Sequence, residues 1–312
     1  MGGRHMDNIA DLILQKKRQR NAVILAHYYQ NPEIQDIADV VGDSFELARR
    51  AQLAKEDVIV LCGVRFMAET AKLLNPAKTV LLPVEDAGCP MADMVGPEDV
   101  LAIRAREPEA AIVCYVNSSA AVKAESDICC TSSNAVRVVR SLPNKKIVMI
   151  PDQNLANYIA RLVPEKEIIP YPGFCPTHRR VRPADVEAAR RALPGALVLV
   201  HPECDPDVVD AADFAGSTAQ ILRRVADGPE DAFIIGTEWG VLHAIAKAAP
   251  GKTLKLLSPA LHCTNMKKIH IEDVLRCLDD FGTGVQIPEQ VRLRATIAVN
   301  RMMEASNAPI SL

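Results

Sequence analysis

Short apolar runs alternate with longer amphipathic segments along most of the chain. The short runs are typical of strands, and the longer segments have the periodicity of helices. Strands that alternate with helices favour right-handed βαβ units and parallel sheets. The hydrophobic pattern therefore predicts an α/β fold.

The same order of elements occurs three times, which indicates an internal repeat. Each copy begins with a strand that ends on a polar marker residue, and the markers are 88 and 86 positions apart: His27, Tyr115 and His201. A helix with a polar start, a second strand, a second helix and a third strand follow. Each third strand leads to a cysteine, and these are 86 and 88 positions apart: Cys89, Cys175 and Cys263. An Asp-Val pair that opens a helix stands ten residues after each cysteine.

A period of roughly 87 residues is the size of a small domain. The sequence thus predicts three similar three-layer αβα domains with parallel sheets, in residues 1–108, 109–193 and 194–287. Residues 288–312 are predicted to form a closing helix that returns to the first domain. Ligands of open parallel sheets bind at the carboxyl ends of the strands, where the markers and cysteines are expected. We therefore expect pseudo-threefold symmetry around a central active site.

The bulk composition limits the classes of function. The chain has 312 residues, a net charge of −3 and 49% hydrophobic residues, which is typical of a soluble globular protein. This charge gives no support to nucleic-acid binding, and no apolar run approaches the roughly 20 residues that span a bilayer. The first residues, MGGRHMDN, lack the order of a signal peptide, so a cytoplasmic location is expected. In such a reducing compartment a disulfide framework is not expected.

Three of the nine cysteines are distinguished by their threefold spacing. The other six follow no such pattern, and each is expected to be a small buried apolar residue. Three equivalent thiolates without a fourth partner favour a metal site with an open position. Structural zinc is normally closed by four ligands. A [4Fe–4S] cluster held by three thiolates would leave one iron free as a Lewis acid.

Several long motifs resemble the quinolinate synthase family over nearly the whole chain. The resemblance is carried by LAHYYQNPEIQDIADVVGDS, YVNSSAAVKAESDICCTSSNA, HPECD, GSTAQI, GTEWG and the three cysteine positions. It implies a three-domain enzyme of de novo NAD (pyridine nucleotide) biosynthesis with an oxygen-sensitive [4Fe–4S] cluster on Cys89, Cys175 and Cys263. The implied reaction condenses iminosuccinate with dihydroxyacetone phosphate to quinolinate and releases phosphate and two waters.

The resemblance also implies which residues bind the substrates. Those that match the family's motifs are His27, Ser44, Tyr115, Asn117, Ser132, His201 and Thr218. Because the substrates carry carboxylates and a phosphate, the polar helix starts are expected to supply N–H donors, and Ser217 adds a hydroxyl there. An ordinary helix cap is the alternative role for these residues.

The implied chemistry needs several proton transfers near neutral pH, which favour histidine or a carboxylate with a raised pKa. Glu203 shares a strand face with His201, and Tyr29 shares one with His27, because alternate residues of a strand point the same way. We therefore expect Glu203, His201, Tyr29 and Tyr115 to be catalytic. Glu203 is also expected to contact the substrate.

Two neighbouring residues and a second class of function remain open. His178 lies in the loop of Cys175 and either supports that cysteine or is exposed, while Trp239 is expected to pack at a strand end. The alternative function is a non-catalytic iron–sulfur sensor or a small-anion binding protein. A sensor would need a further module, and a binding protein would not need three matched thiols. The partners expected are the two substrates and, transiently, the enzyme that supplies iminosuccinate, with no nucleic acid and no membrane.

Overall fold

The structure is a computed structural model that describes residues 2–282 and 284–307, with side chains from residue 9 onward. The end of the predicted closing helix, residues 308–312, lies outside the described residues. Contacts divide the described chain into two compact units. The first contains the residues up to Cys89 and those from Cys263 to Pro288. The second contains Pro90–His262 and the residues from Glu289 onward.

The first unit contains one four-stranded parallel sheet. Its strands are β1 (Ala22–His27), β2 (Val40–Gly42), β3 (Val58–Cys62) and β4 (Thr79–Leu81). They lie in the order β2-β1-β3-β4. Its helices are α1 (Gly2–Gln19), α2 (Pro32–Ile37), α3 (Ser44–Leu53), α4 (Arg65–Leu74) and α13 (Ile271–Asp280). All residues of β1 and β3 are buried, as expected for parallel strands that are covered on both faces.

The second unit contains two further parallel sheets with the same strand order. The strands of one sheet are β5 (Ala111–Tyr115), β6 (Ile128–Cys130), β7 (Lys146–Ile150) and β8 (Glu167–Pro170). Those of the other are β9 (Leu197–Val200), β10 (Phe214–Ala215), β11 (Ala232–Gly236) and β12 (Thr253–Leu256). The helices are α5 (Pro97–Arg106), α6 (Ala120–Glu125), α7 (Ala135–Ser141), α8 (Gln153–Leu162), α9 (Pro183–Ala192), α10 (Pro206–Ala211), α11 (Thr218–Asp227), α12 (Val241–Ala248) and α14 (Glu289–Asn307).

Each sheet has one strand more than the sequence predicts. These additional strands are β2, β6 and β10, each only two or three residues long, so they show no periodicity of their own. An aspartate before each of them accepts a hydrogen bond from the backbone of the repeat's first strand. The pairs are Asp39 with the N–H of Ile24 at 2.8 Å, Asp127 with that of Ile112 at 2.8 Å, and Asp213 with that of Val198 at 2.7 Å. The aspartates thus hold the short edge strand of each sheet in register.

The helix that follows each cysteine joins the core of another repeat. Ile271, Val274 and Leu278 of α13 share one apolar core with Ile9 and Ile13 of α1. In the same way, α9 contributes to the core of the sheet that begins with β9, and α5 packs on α6. Helices α5 and α9 therefore pack with the next repeat in the chain, α13 packs with the first repeat, and the boundaries themselves stay predictions.

The last helix packs on the second repeat. In the second unit, α14 lies against α6, β6 and α7, and Arg294 of α14 forms an ion pair with Glu125 at 2.5 Å. Ala295, Val299 and Met302 form its buried apolar face. The expectation that this helix returns to the first domain is wrong, because its apolar face is covered by the second repeat.

The chain forms three parallel sheets with the same strand order, and its strands alternate with helices. This confirms the predicted α/β fold with three similar repeats. Their arrangement around a common axis stays a prediction. Among the described residues, no helix combines the length and the apolar character needed to cross a membrane.

Candidate functional site

In the second unit, the first strand of each repeat leads to a buried polar side chain. Tyr115 is the last residue of β5, and His201 directly follows β9. Their side chains are 5% and 3% exposed. Both therefore lie at the carboxyl ends of parallel strands, where ligand sites of this fold class occur.

Glu203 joins these two strand ends. The residue is 4% exposed, and its carboxylate accepts a hydrogen bond from the Tyr115 hydroxyl, with Oη 2.8 Å from Oε1. The other oxygen, Oε2, lies 2.8 Å from Nδ1 of His178 and 3.8 Å from Nδ1 of His201. Asn154 donates its side-chain N–H to the backbone carbonyl of Glu203 at 3.0 Å. A buried carboxylate is therefore fixed by donors on both oxygens.

His178 is a buried link between Glu203 and the loop of Cys175. It begins a single 3-10 turn three residues after the cysteine, and it is 1% exposed. Its Nδ1 lies 3.2 Å from Sγ of Cys175, and its Nε2 lies 2.9 Å from Oγ1 of Thr237. Of the two roles left open by the sequence, the structure supports contact with the cysteine, because the side chain is not exposed.

The hydrogen bonds of His201 determine its tautomer. The backbone N–H of Glu203 donates to Nδ1 of His201 at 3.2 Å, so Nδ1 is an acceptor. Nε2 of the neutral ring therefore carries the proton, and it lies 3.2 Å from Oγ of Ser132. The rings of His201 and His178 are 5.0 Å apart between centroids. Ser132, expected at the substrate, is thus placed beside the expected catalytic histidine.

Burial shifts the protonation of these groups in different directions. Burial lowers the pKa of His201 to about 4, despite the nearby Glu203 carboxylate, so the ring is neutral at neutral pH. Burial would raise the pKa of Glu203, but the neighbouring His201 and the hydrogen bonds from His178 and Tyr115 outweigh it and hold that pKa well below its usual value. Glu203 is therefore a carboxylate at neutral pH. The sequence led us to expect a carboxylate with a raised pKa, which the structure shows instead at Asp152, through burial and the charge of Glu203.

Three side-chain oxygen atoms that follow the ends of β5 and β6 have no protein partner. Oδ1 of Asn117, Oγ of Ser118 and Oγ1 of Thr131 are buried and accept or donate no hydrogen bond among the described residues. Buried polar atoms are normally satisfied, so such atoms point to a bound ligand or water. Asn117 is one of the residues expected to bind substrate.

The polar helix starts differ in detail from the prediction. Ser217 is the N-cap of α11 and accepts a hydrogen bond from the N–H of Gln220 at 3.3 Å, which places Thr218 at the first helical position. Ser132 lies before α7, whose N-cap is Asn134. The cap role therefore applies to Ser217 but not to Ser132, because the second-repeat helix begins later in the sequence.

The first unit repeats the same turn at the end of its first strand. The backbone N–H of Tyr29 donates to Nδ1 of His27 at 3.1 Å, as that of Glu203 does to His201. The rings of His27 and Tyr29 lie 4.5 Å apart in an edge-on arrangement. Ser44 is the first residue of α3, and the cap is Asp43, which accepts from two backbone N–H groups.

The loop of Cys263 is tied to the loop of His27 and Tyr29 within the first unit. Gln30 donates from Nε2 to the carbonyl of Met266 at 2.8 Å, and Lys267 donates from Nζ to the carbonyl of Tyr29 at 2.5 Å. Cys89 lies in the same unit, in the segment after β4. The cysteines thus lie in loops well past the strand ends, rather than at the last strand residues.

Comparison with known proteins then decides the family. The family described as Quinolinate synthetase A protein matches residues 11–304. A quinolinate synthase of Alkaliphilus metalliredigens is 54% identical over 95% of this chain and 98% of its own length. One of Methanoregula boonei is 52% identical over 96% and 99%, and quinolinate synthase 1 of Methanosarcina acetivorans is 49% identical over 94% and 97%.

The chain belongs to the quinolinate synthase family.

The cysteines of this quinolinate synthase family member fall into two groups by burial. The three cysteines of the repeat are half-buried and therefore within reach of a ligand. Of the other six, Cys277 is also half-buried, and the remaining five are fully buried, as expected for apolar packing. All nine are thiols rather than disulfides, and all lie in the part of the chain that the structure describes.

Sequence reasoning missed Thr237 and Asp152 in this family member. Thr237 lies in the GTEWG motif and contacts His178, and Asp152 accepts the N–H of Cys175 at 3.2 Å. Thr237 directly follows β11, and Asp152 lies two residues after the end of β7, so a polar residue at the end of a buried strand is the signal that could have found them. Trp239 donates from Nε1 to Nδ1 of His262 at 2.9 Å, so it stacks on a loop histidine near the strand end where packing was expected.

Proposed function

We propose that this chain is a quinolinate synthase that condenses iminosuccinate with dihydroxyacetone phosphate. The observation that carries the proposal is the buried contact of Glu203 with Tyr115 and His178, beside Cys175, in a chain of this family. The reaction joins a four-carbon imine to a three-carbon triose phosphate and yields quinolinate, phosphate and two waters. The nitrogen of the imine becomes the ring nitrogen.

Cys89, Cys175 and Cys263 are proposed to hold a [4Fe–4S] cluster. The residues fit this group, because they are half-buried thiols at equivalent positions of three repeats, whereas a closed zinc site would need a fourth ligand of the same set. When bound, the cluster would supply a Lewis acid at the one iron that no cysteine binds.

Glu203 is proposed to be the base of the site, with Tyr115 as its hydrogen-bonded partner. Glu203 is ionised at neutral pH and can therefore accept a proton from substrate carbon or nitrogen, and the Tyr115 hydroxyl donates a hydrogen bond to its Oε1 at 2.8 Å. Neutral His201, with its proton on Nε2, faces the Ser132 hydroxyl and is suited to donate a hydrogen bond to a substrate oxygen. Tyr29 lies two residues after His27, as Glu203 lies two residues after His201, and it is likewise proposed to donate or accept a proton.

The anionic groups of the substrates are proposed to bind at the helix starts. The first turns of α3 and α11 carry partial positive charge and present the backbone N–H groups that the caps Asp43 and Ser217 do not already bind. Ser44 and Thr218 stand at their first positions, and Ser217 caps α11. The unsatisfied Oδ1 of Asn117 supports a polar substrate contact after the end of β5, and His27 and Ser132 complete the proposed binding set.

The enzyme class that follows is a transferase with dehydration steps, working in NAD biosynthesis. Its proposed location is the cytoplasm, and its partners are the two substrates and the enzyme that supplies iminosuccinate. Three domains in pseudo-threefold symmetry remain the proposed organisation.

An anaerobic assay tests the proposal directly. Reconstituted protein is mixed with dihydroxyacetone phosphate and iminosuccinate generated in place, and quinolinate is measured by chromatography and phosphate by a colorimetric reaction. Equal amounts of both products support the proposal. A brown protein that binds quinolinate tightly but forms neither product contradicts it and favours the small-anion binding protein.

A further inference from the structure

Three side chains of different donor type meet around His178. Sγ of Cys175, a ring nitrogen of His178 and a carboxylate oxygen of Glu203 all lie within 4.8 Å of one another. Glu203 and His178 are buried and Cys175 is half-buried. We infer that, in the cluster-free protein, these three residues form a binding site for a single Zn²⁺ ion.

The donor set fits zinc. A thiolate, an imidazole and a carboxylate are the three ligand types that zinc takes in proteins, and three protein ligands leave one position for water. Zinc bonds of about 2.0–2.3 Å in a tetrahedron place the ligand atoms about 3.5 Å apart. Nδ1 of His178 lies 3.2 Å from Sγ of Cys175 and 2.8 Å from Oε2 of Glu203, so these two pairs need only a small outward shift to hold an ion, and the thiol and the carboxylate lie within 4.8 Å of each other.

The ligands are already oriented by their other partners. Nε2 of His178 lies 2.9 Å from Oγ1 of Thr237, which leaves Nδ1 directed at the cysteine and the carboxylate. When Nδ1 binds a metal, Nε2 carries the proton and donates a hydrogen bond to Oγ1 of the threonine. The Tyr115 hydroxyl holds Oε1 of Glu203 and leaves Oε2 for the ion. Partners of this kind typically raise metal affinity 10- to 100-fold.

Zinc and the proposed cluster would compete for one residue. Both need the thiolate of Cys175, so the occupation of one site excludes the other. The zinc site does not depend on the proposed function, because it uses neither Cys89 nor Cys263. Only the competition rests on that proposal. Zinc would then act as an inhibitor that blocks assembly of the cluster and also binds the carboxylate of Glu203.

Binding of Co²⁺ to the cluster-free full chain tests the site. Co²⁺ serves as the coloured probe for a tetrahedral thiolate site, and Zn²⁺ is the competitor that displaces it. We expect one equivalent of Co²⁺ with a thiolate-to-metal absorption band. Cys175→Ser should abolish the band, and His178→Ala and Glu203→Gln should weaken binding strongly. The matched controls, Cys89→Ser and Cys263→Ser, should bind Co²⁺ as the unchanged chain does.

Thr237 provides a test that leaves all three ligands in place. Thr237→Val keeps the shape of the side chain and removes its hydroxyl, so Co²⁺ affinity should fall by about 10- to 100-fold, while Thr237→Ser should restore it. If Cys175→Ser does not fold, the threonine pair and Glu203→Gln decide the question. The inference is overturned if Cys89→Ser loses the band as Cys175→Ser does, if Thr237→Val binds normally, or if no tetrahedral Co²⁺ complex forms.

The competition has its own measurement. Protein loaded with Zn²⁺ should take up less iron on reconstitution than metal-free protein. Full iron uptake with zinc retained would show that the two do not share Cys175. This result leaves the quinolinate assay unaffected, so a failure here and a failure of the proposed function are distinguishable.

Discussion

The loops that follow Cys175 and Cys263 have the same order of secondary structure but differ in the side chain that begins the turn. Each cysteine is followed by one 3-10 turn, His178–Arg180 in one loop and Met266–Lys268 in the other. A helix with an aspartate at its third position comes next in both. The repeat therefore preserves the path of the chain through both loops.

The residue at the start of the turn decides what each loop can do. His178 contacts Cys175, Glu203 and Thr237 through its ring nitrogens. Met266 contributes its backbone carbonyl to Gln30 and brings no ionisable group. A threefold framework thus supplies three similar cysteines, while a single different side chain makes one loop part of an acid–base cluster.

The largest expected effect tests what the loops have in common. Cys89→Ser, Cys175→Ser and Cys263→Ser should each lose the cluster and all activity, because a three-ligand site has no spare thiolate. Iron content and absorbance after anaerobic reconstitution measure this. Cys277→Ser is the control, since Cys277 is half-buried but stands outside the repeat, and it should keep its iron. Near-normal iron in Cys175→Ser would show that the three loops are not equivalent.

The second-largest effect tests how the loops of Cys175 and Cys263 differ. Glu203→Gln should keep its iron but lose turnover by about 10²–10⁴-fold, because an amide cannot accept the proton that the carboxylate takes. Steady-state kinetics with both substrates give kcat and KM separately. A variant that keeps its kcat would limit Glu203 to holding Tyr115 and His178 in place.

A smaller effect concerns the loop of Cys263, in which Met266 occupies the position of His178. Gln30→Met removes the donor to the Met266 carbonyl and should lower the free energy of unfolding by about 1–3 kcal/mol, because a buried acceptor loses its partner. Urea denaturation of the cluster-free protein measures it. Gln52→Met, an exposed position on α3, should change that free energy by less than about 0.5 kcal/mol. Equal values for the two variants would mean that the Gln30 contact contributes nothing.

The smallest effect tests whether the aspartates beside the edge strands stabilise the three sheets equally. Asp213→Asn should lower the free energy of unfolding by about 1 kcal/mol, and Asp39→Asn and Asp127→Asn should lower it equally, because the three carboxylates make the same backbone contact. Unequal losses would show that the sheets are not equivalent in stability.

Asp213 also has an expected pH dependence. Burial would raise its pKa, but hydrogen bonds from Arg190 and from the N–H of Val198 outweigh it and lower that pKa in the folded state. Its stabilisation is therefore complete above the unfolded pKa of about 4 and is lost as the pH falls through the folded value. In Asp213→Asn the fall in stability below pH 4 should be shallower than in the unchanged chain. An identical fall in the free energy of unfolding below pH 4 in both proteins would contradict this.

Much of the fold could be predicted, because equivalent residues of the three repeats recur at nearly constant spacing along the chain. The strand ends at His27, Tyr115 and His201 appear where the sequence places them. Strand alternation is not what places Glu203 near His201, because β9 ends at Val200 and the two residues lie in the turn after it, where the N–H of Glu203 donates to Nδ1 of His201. The short edge strands were missed because two or three residues have no period. The burial of His178 could not be predicted, since a histidine in a polar loop is equally compatible with an exposed position.

The amphipathic helices show most clearly where prediction from the sequence ends. The sequence of α14 indicates which face is apolar, but not that this face packs on α6 and β6. The same holds for α13, which lies at the end of the third repeat in the sequence and packs with α1. A helical period describes the surface that must be buried, whereas the partner depends on which apolar surface the rest of the fold leaves open.

By itself, the sequence determined the α/β class, the threefold repeat, the family motifs and the three distinguished cysteines, because each of these is a matter of residue type and spacing along the chain. Only the tertiary structure decided that Glu203 is an ionised carboxylate, that His201 is neutral, and that His178 and Thr237 belong to the same cluster. Protonation depends on burial and on charged neighbours from distant parts of the chain, and those are set when the strand ends and loops of the folded protein come together.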